Sequence, residues 1–249
     1  MRKMSWLLAA FALGLPAIGA AGPSDYVYLP SVEYGEREID FKAGSWKLRG
    51  EEPVRQSAAS LGFGYGATTW WFTEAYVKFN RETGGRARYD AFEWENKFQL
   101  TEPNQYFVDI GLITEIEIPK AHREEGYELK VGPLFQFDTG AIRWNANLLF
   151  ERVLRGRAEG PRVTEMGYQL QARYDLDARF AVGAQALGEV GAWDHWAPRE
   201  EQSHRVGPAI FGKVKLGGRE AIRYNAAWLR GVGDGSPRNT VRVQAEYEF

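Results

Sequence analysis

The sequence predicts an all-β fold, a closed antiparallel barrel of about twelve long strands, and three features predict it. Apolar and polar residues alternate through most of the 249 residues. The alternating stretches are longer than the strands of ordinary soluble sheets. The connections between them are alternately short and long.

Side chains along a strand point to opposite faces with period two, so alternation builds one apolar and one polar face. Leu61, Phe63 and Tyr65 share a face opposite Ser60, Gly62 and Gly64. Phe92, Trp94, Phe98 and Leu100 oppose Glu93, Glu95, Lys97 and Gln99. Ile142, Trp144, Ala146, Leu148 and Phe150 oppose Arg143, Asn145 and Asn147. The last stretch sets Val241, Val243, Ala245, Tyr247 and Phe249 against Arg242, Gln244, Glu246 and Glu248.

Strands are expected at 33–47, 55–66, 70–81, 88–100, 105–118, 126–137, 141–154, 164–174, 178–191, 204–216, 220–230 and 240–249. Soluble strands average about five or six residues, whereas a tilted strand crossing a bilayer needs about nine to eleven. Length therefore favours a transmembrane barrel over a soluble sandwich. The even-numbered connections are short: Ala67–Thr69, Thr101–Asn104, Asp138–Gly140, Asp175–Asp177 and Gly217–Gly218. The odd ones are longer, as in Pro119–Glu125, Arg155–Val163 and Ala192–Ser203. Short periplasmic turns and longer outer loops are the asymmetry of a transmembrane barrel. Aromatics near strand ends, among them Trp70, Trp71, Tyr106, Tyr174, Trp193 and Trp228, suit the boundary between lipid tails and headgroups.

Residues 1–21 read as a cleavable export signal: Arg2 and Lys3, an apolar run from Trp6 to Leu15, then small residues up to Ala21. Residues 22–31 are expected as a periplasmic leader that either dangles freely or tucks into the lumen. Residues 32–249 are expected as the barrel. With 44% apolar residues and a mean hydropathy of −0.43, the chain does not look like a helical membrane protein. A net charge of −2 gives no electrostatic case for nucleic acid. Without cysteine there is no disulfide, thiolate catalysis, thiolate metal site or lipidated cysteine.

Taken together, the export signal, the alternating strands and the ending Val241-Arg-Val-Gln-Ala-Glu-Tyr-Glu-Phe249 resemble the outer-membrane β-barrel proteins of Gram-negative bacteria. The resemblance implies a place in the bacterial outer membrane, lipid around the barrel, and recognition of the strand ending in Phe249 by the barrel-assembly machinery.

Parity also assigns an interior. An acidic wall is expected from Glu38, Asp40, Glu74, Glu93, Glu95, Asp109 and Glu128. A basic wall is expected from Arg143, Arg173, Lys213, Lys215, Arg223 and Arg242. Opposed rows of charge across a wet lumen orient polar solutes and tune selectivity. Inner-face glycines such as Gly62, Gly64 and Gly111 are expected to leave space. The reading is a narrow passive pore for small polar or charged solutes. Two alternatives stay open: a closed structural barrel, and an outer-rim enzyme, hydrolytic or lipid-modifying, near His195 and His204. No catalytic motif, metal site or cofactor site is assigned. Ser203-His204 and Asp194-His195 supply residue types for hydrolysis but no oriented set.

Overall fold

In a computed structural model, the described residues are 22–50, 54–156 and 162–249. The expected export signal at 1–21 lies outside them, as do parts of two outer loops. Twelve long strands form the barrel. They are β1 (Arg37–Lys47), β2 (Arg55–Gly66), β3 (Trp71–Glu82), β4 (Arg88–Gln99), β5 (Asp109–Pro119) and β6 (Tyr127–Thr139). The second half comprises β7 (Ile142–Leu154), β8 (Thr164–Asp175), β9 (Phe180–Ala192), β10 (Ser203–Gly217), β11 (Glu220–Gly231) and β12 (Asn239–Glu248). Each pairs antiparallel with its sequence neighbours. β12 returns to β1, with Ile39 opposite Tyr247 and Trp46 opposite Thr240, so the sheet closes and leaves no edge. A two-residue bridge, His195–Trp196, folds the outer loop back on β9.

Burial is inverted relative to a soluble protein. Along β1, Glu38, Asp40 and Lys42 are buried, while Ile39 and Phe41 between them are exposed. On β2, Leu61 and Phe63 are each 53% exposed, whereas Ser60 is buried. Apolar side chains facing outward are stable only against lipid, and a closed barrel satisfies its backbone groups there without water. Among the described residues no helix is long and apolar enough to cross a membrane; the strands do the crossing.

Turn chemistry fixes the hairpins at the end carrying both strand termini, the periplasmic end in barrels of this class. Asp177 Oδ1 accepts the backbone N–H groups of Arg179 and Phe180, an Asx turn between β8 and β9. Gly140 takes φ 61° between β6 and β7, a conformation open to glycine at little cost. Two expectations shift. The chain turns at Gly35 (φ 76°), so β1 starts at Arg37 rather than at residue 33. The connection expected as a short turn at Thr101–Asn104 runs over residues 100–108. There Asn104 sits at φ 61° and its N–H donates to Asp109 Oδ1 at 2.7 Å, which holds Tyr106 and Phe107 out of the sheet.

The segment 22–36 runs inside the barrel. It enters beside Gly66 and Glu33 at the short-turn end and extends towards the long loops, where Arg205 Nη1 donates to the Gly22 carbonyl. Its extended backbone sends neighbouring side chains to opposite walls. Val27 joins Ala181, Leu187, Ala209, Phe211, Ala227 and Leu229 of β9–β11. Tyr28 joins Ile113, Leu134 and Leu149 of β5–β7. Two small apolar clusters thus sit within an otherwise polar lumen.

Candidate functional site

The lumen offers the segment what an extended strand lacks there, partners for its backbone. Gln169 accepts the Tyr28 N–H and donates to the Tyr26 carbonyl at 2.8 Å. Asn147 Nδ2 donates to the Tyr28 carbonyl, and the Val32 N–H donates to Gln99 Oε1 at 2.8 Å. The phenols complete the anchoring: Tyr26 donates to Glu95 and Tyr28 to Glu115, both at 2.8 Å. Burial, and after it the neighbouring carboxylates, push both phenols well above the usual tyrosine range, so they remain donors. Lys42 lies between the Tyr26 and Tyr76 rings, 3.5 and 3.7 Å from their centroids, and 3.3 Å from Asp40.

Two glycines let the segment approach the wall. A side chain at Gly44 would run into the Pro23 carbonyl, and one at Gly111 would meet Pro30 at 2.9 Å. The expectation that inner-face glycines leave space is corrected accordingly: Pro30 covers Gly111, the Tyr76 ring covers Gly62, and the Phe72 ring covers Gly64.

Asp25 lies on this segment, and burial raises its carboxyl above the usual aspartate range, against the pull of Lys130 and Arg205. A seated segment therefore holds a proton that a released one gives up. Seating tightens as pH falls towards 3.8 and is weakest above the raised value. Limited proteolysis of the segment should be slower at mildly acidic than at alkaline pH. In Asp25→Asn that difference should vanish, with protection at every pH.

The outer half of the lumen carries a cluster of ion pairs. Lys78 Nζ is 2.7 Å from Glu93 and also contacts Glu117; Lys130 Nζ is 2.8 Å from Glu115 and 3.7 Å from Glu151. The periplasmic half holds a cavity of about 520 Å³ between the segment and the wall. Glu38, Asp40, Glu74 and Glu95 border it from β1, β3 and β4; Arg143, Arg173, Lys213, Arg223 and Arg242 border it from β7, β8 and β10–β12. In a twelve-strand ring β1 and β7 are six strands apart, hence diametrically opposed.

The remaining charges assigned from sequence lie elsewhere. Glu93 belongs to the outer ion-pair cluster, Asp109 braces its own turn, Glu128 pairs in register with Glu117, and Lys215 is exposed near the end of β10. Several basic residues are already neutralised within the chain. Arg143 pairs with Asp138 at 3.1 Å, Arg173 with Asp175 at 2.7 Å, and Lys213 with Glu248 at 2.7 Å. Arg223 also meets Glu248. Parity placed Lys42 and Asn147 on the inner face but did not reveal that they, with Gln169, hold the tyrosines and backbone of the segment, because a period-two pattern reports the face and not the partner.

Among the described residues, neither His195 nor His204 is hydrogen-bonded to a serine or a carboxylate. His195 is exposed, and both ring nitrogens of His204 are engaged at 3.0 Å, by Tyr168 Oη and Gln202 Oε1. Neither is left to act as a base towards Ser203.

Fold and lumen define the class: a closed twelve-strand β-barrel with an apolar exterior and a polar lumen, similar in fold to outer-membrane porins and channels. No known protein family's sequence profile matches the chain, and no curated protein matches it either. Solved structures do. The NanC porin is similar at a TM-score of 0.56 and 11% identity, over 85% of this chain and all of that one. The COG4313 outer membrane channel from Pseudomonas putida F1 gives 0.58 and 11%, over 92% of this chain and all of that one. The translocator domain of the autotransporter NalP from Neisseria meningitidis gives 0.52 and 11%, over 87% of this chain and 89% of that one. At these identities the likeness is one of fold.

Proposed function

We propose that the chain is a narrow passive channel for small charged or polar solutes, with its own N-terminal segment as the constriction. The observation that carries this reading is the charged cavity of about 520 Å³ between the segment and the barrel wall. A barrel built only as a scaffold has no need to keep buried carboxylates and guanidinium groups around an open space, where each costs solvation energy. The strand ending in Phe249, whose N–H closes onto the Arg37 carbonyl, is the element offered to the assembly machinery.

The purified full chain in planar bilayers should give discrete conductance steps that are small for a twelve-strand barrel. Changing Arg143, Arg173 and Arg223 together to glutamine strips the partners from Asp138 and Asp175 and leaves Glu248 with Lys213 alone. The reversal potential under a salt gradient should then move towards cation selectivity; a shift towards anions, or none, contradicts the assignment of these groups to the conducting path. The closed-barrel reading draws on the dense anchoring of the segment, and it predicts silent bilayers for the full chain.

A further inference from the structure

Charge on the outward face of the barrel is sorted by sign. Register and exposure put Lys47 on the face of Ile39 and Phe41, Arg55 on that of Leu61 and Phe63, and Arg81 on that of Val77 and Phe79. By the same parity Arg152 faces outward with Leu148 on β7, and Arg230 with Trp228 on β11. All stand at the long-loop ends of their strands. Among the described residues, no aspartate or glutamate of a strand shares the outward parity at that end. The short-turn end carries both signs outward, Arg37 and Glu220. A rim that needed only to be wetted would accept either sign, as the short-turn end does. A rim of one sign fits an anionic surface.

The cations converge on β1–β3. Lys47 lies directly opposite Arg55 in the register, and Ser57 opposite Arg81. These four residues border an open groove of about 430 Å³, with Glu82, Thr83 and Gly84 along its other side. Among the described residues no carboxylate lies within 4.0 Å of Lys47, Arg55 or Arg81. Of their side chains only Arg81 makes a hydrogen bond, from Nε to the Gly85 carbonyl at 3.1 Å. Towards the middle of the barrel wall a hydroxyl pair follows, Ser57 on Ser45 at 3.0 Å. Beyond it come Ala43 and Ala59, then Phe41, Leu61 and Val77. Cations, hydroxyls and hydrocarbon thus succeed one another in the order in which a lipid passes from phosphate to acyl chain. The groove on the far side of the β3–β4 hairpin offers no single sign, because Asp90 and Glu125 stand among its Arg86, Arg88 and Lys120.

We infer that the groove at the outer end of β1–β3 seats a phosphate-bearing lipid of the outer leaflet. Its phosphate lies on Lys47, Arg55 and Arg81, with an acyl chain along Ala59, Leu61 and Phe79. Guanidinium and ammonium groups make their strongest hydrogen bonds to such oxyanions. The assignment rests on the outer-membrane placement of the barrel and is independent of the channel reading. A soluble phosphate would meet the same cations but leave the apolar strip beside them unused. A zwitterionic headgroup would bring its own ammonium against three cations.

Native mass spectrometry of the full chain in detergent micelles tests this with bisphosphorylated lipid A, its dephosphorylated form and inorganic phosphate. The bisphosphorylated lipid should bind about tenfold or more tighter than the dephosphorylated one. Inorganic phosphate at the same concentration should not displace it. Changing Lys47, Arg55 and Arg81 together to glutamine should erase the preference, and Arg55→Gln or Arg81→Gln alone should remove part of it. Arg37→Gln, at the opposite rim, should leave it intact. Glu82→Gln removes the one carboxylate bordering the groove and should strengthen binding. Equal affinity for the two lipid forms overturns the inference. So does a preference kept by the heat-modifiable, folded variants, or displacement by inorganic phosphate. Bilayer recordings keep the two readings apart: conductance without lipid preference defeats the lipid site alone, and lipid preference in a silent barrel defeats the channel alone.

Discussion

Deleting residues 22–31 should raise the unit conductance by about threefold or more, because a twelve-strand barrel is wide enough to hold a passage once nothing is threaded through it. The sheet itself should survive. Its ladder closes through β12 and β1 without the segment, and the turn that starts the barrel, with Gly35 N–H on the Gly66 carbonyl, lies beyond the deletion. What the segment supplies is side-chain and backbone contacts to groups that water in an open lumen can replace: Glu95, Glu115, Gln169 and Asn147. A second variant reaches the same end without removing residues. In Gly44→Val the new side chain runs into the Pro23 carbonyl, so the segment cannot seat along β1. Both variants should show enlarged steps in bilayers, and Gly44→Val should also become sensitive to protease between residues 22 and 31. If Gly44→Val becomes sensitive while conductance stays at the full-chain value in both variants, the segment is not the constriction.

The barrel was legible in the sequence because its determinants are local. Alternation fixes which face of β1 is polar, and turns such as Asp177-Ala-Arg179 are decided within a few residues. Whether the segment dangles or tucks into the lumen was not legible, because nothing near it in sequence holds it. Tyr26 finds Glu95 69 positions away, and its carbonyl finds Gln169 143 positions away. Only the closed ring brings those groups to one axis. The same limit blurred the charged walls. Parity placed Arg143 and Arg173 towards the interior but did not show that Asp138, opposite Arg143 in the hairpin register, and Asp175, two residues after Arg173, neutralise them. The partners that decide whether a charge is available sit on neighbouring strands or turns, where alternation gives no information.

Replacing Lys78 with methionine should cost the barrel about 2–3 kcal/mol of stability, below the penalty for breaking a fully buried ion pair because the Lys78 side chain is 25% exposed. Lys78 Nζ lies 2.7 Å from Glu93 and contacts Glu117, and the carboxylate oxygens of Glu93, Glu115 and Glu117 all lie within 4.8 Å of one another. Without Lys78, three carboxylates share the one ammonium of Lys130, which is already 2.8 Å from Glu115. Methionine keeps most of the volume, so packing contributes little and the loss reports charge. Urea unfolding in lipid vesicles, followed by tryptophan fluorescence, should show the lower midpoint. Lys78→Arg should lose much less, since a guanidinium can serve both carboxylates. Adding Glu93→Gln and Glu117→Gln to Lys78→Met should recover a large part of the loss, because the penalty lies in the uncompensated charge and not in the missing lysine. A Lys78→Met barrel that unfolds at the parent midpoint would mean that these carboxylates are solvated from the outer mouth. The outer half of the lumen would then be wet, and the segment, not the ion-pair cluster, would be the only barrier along the axis.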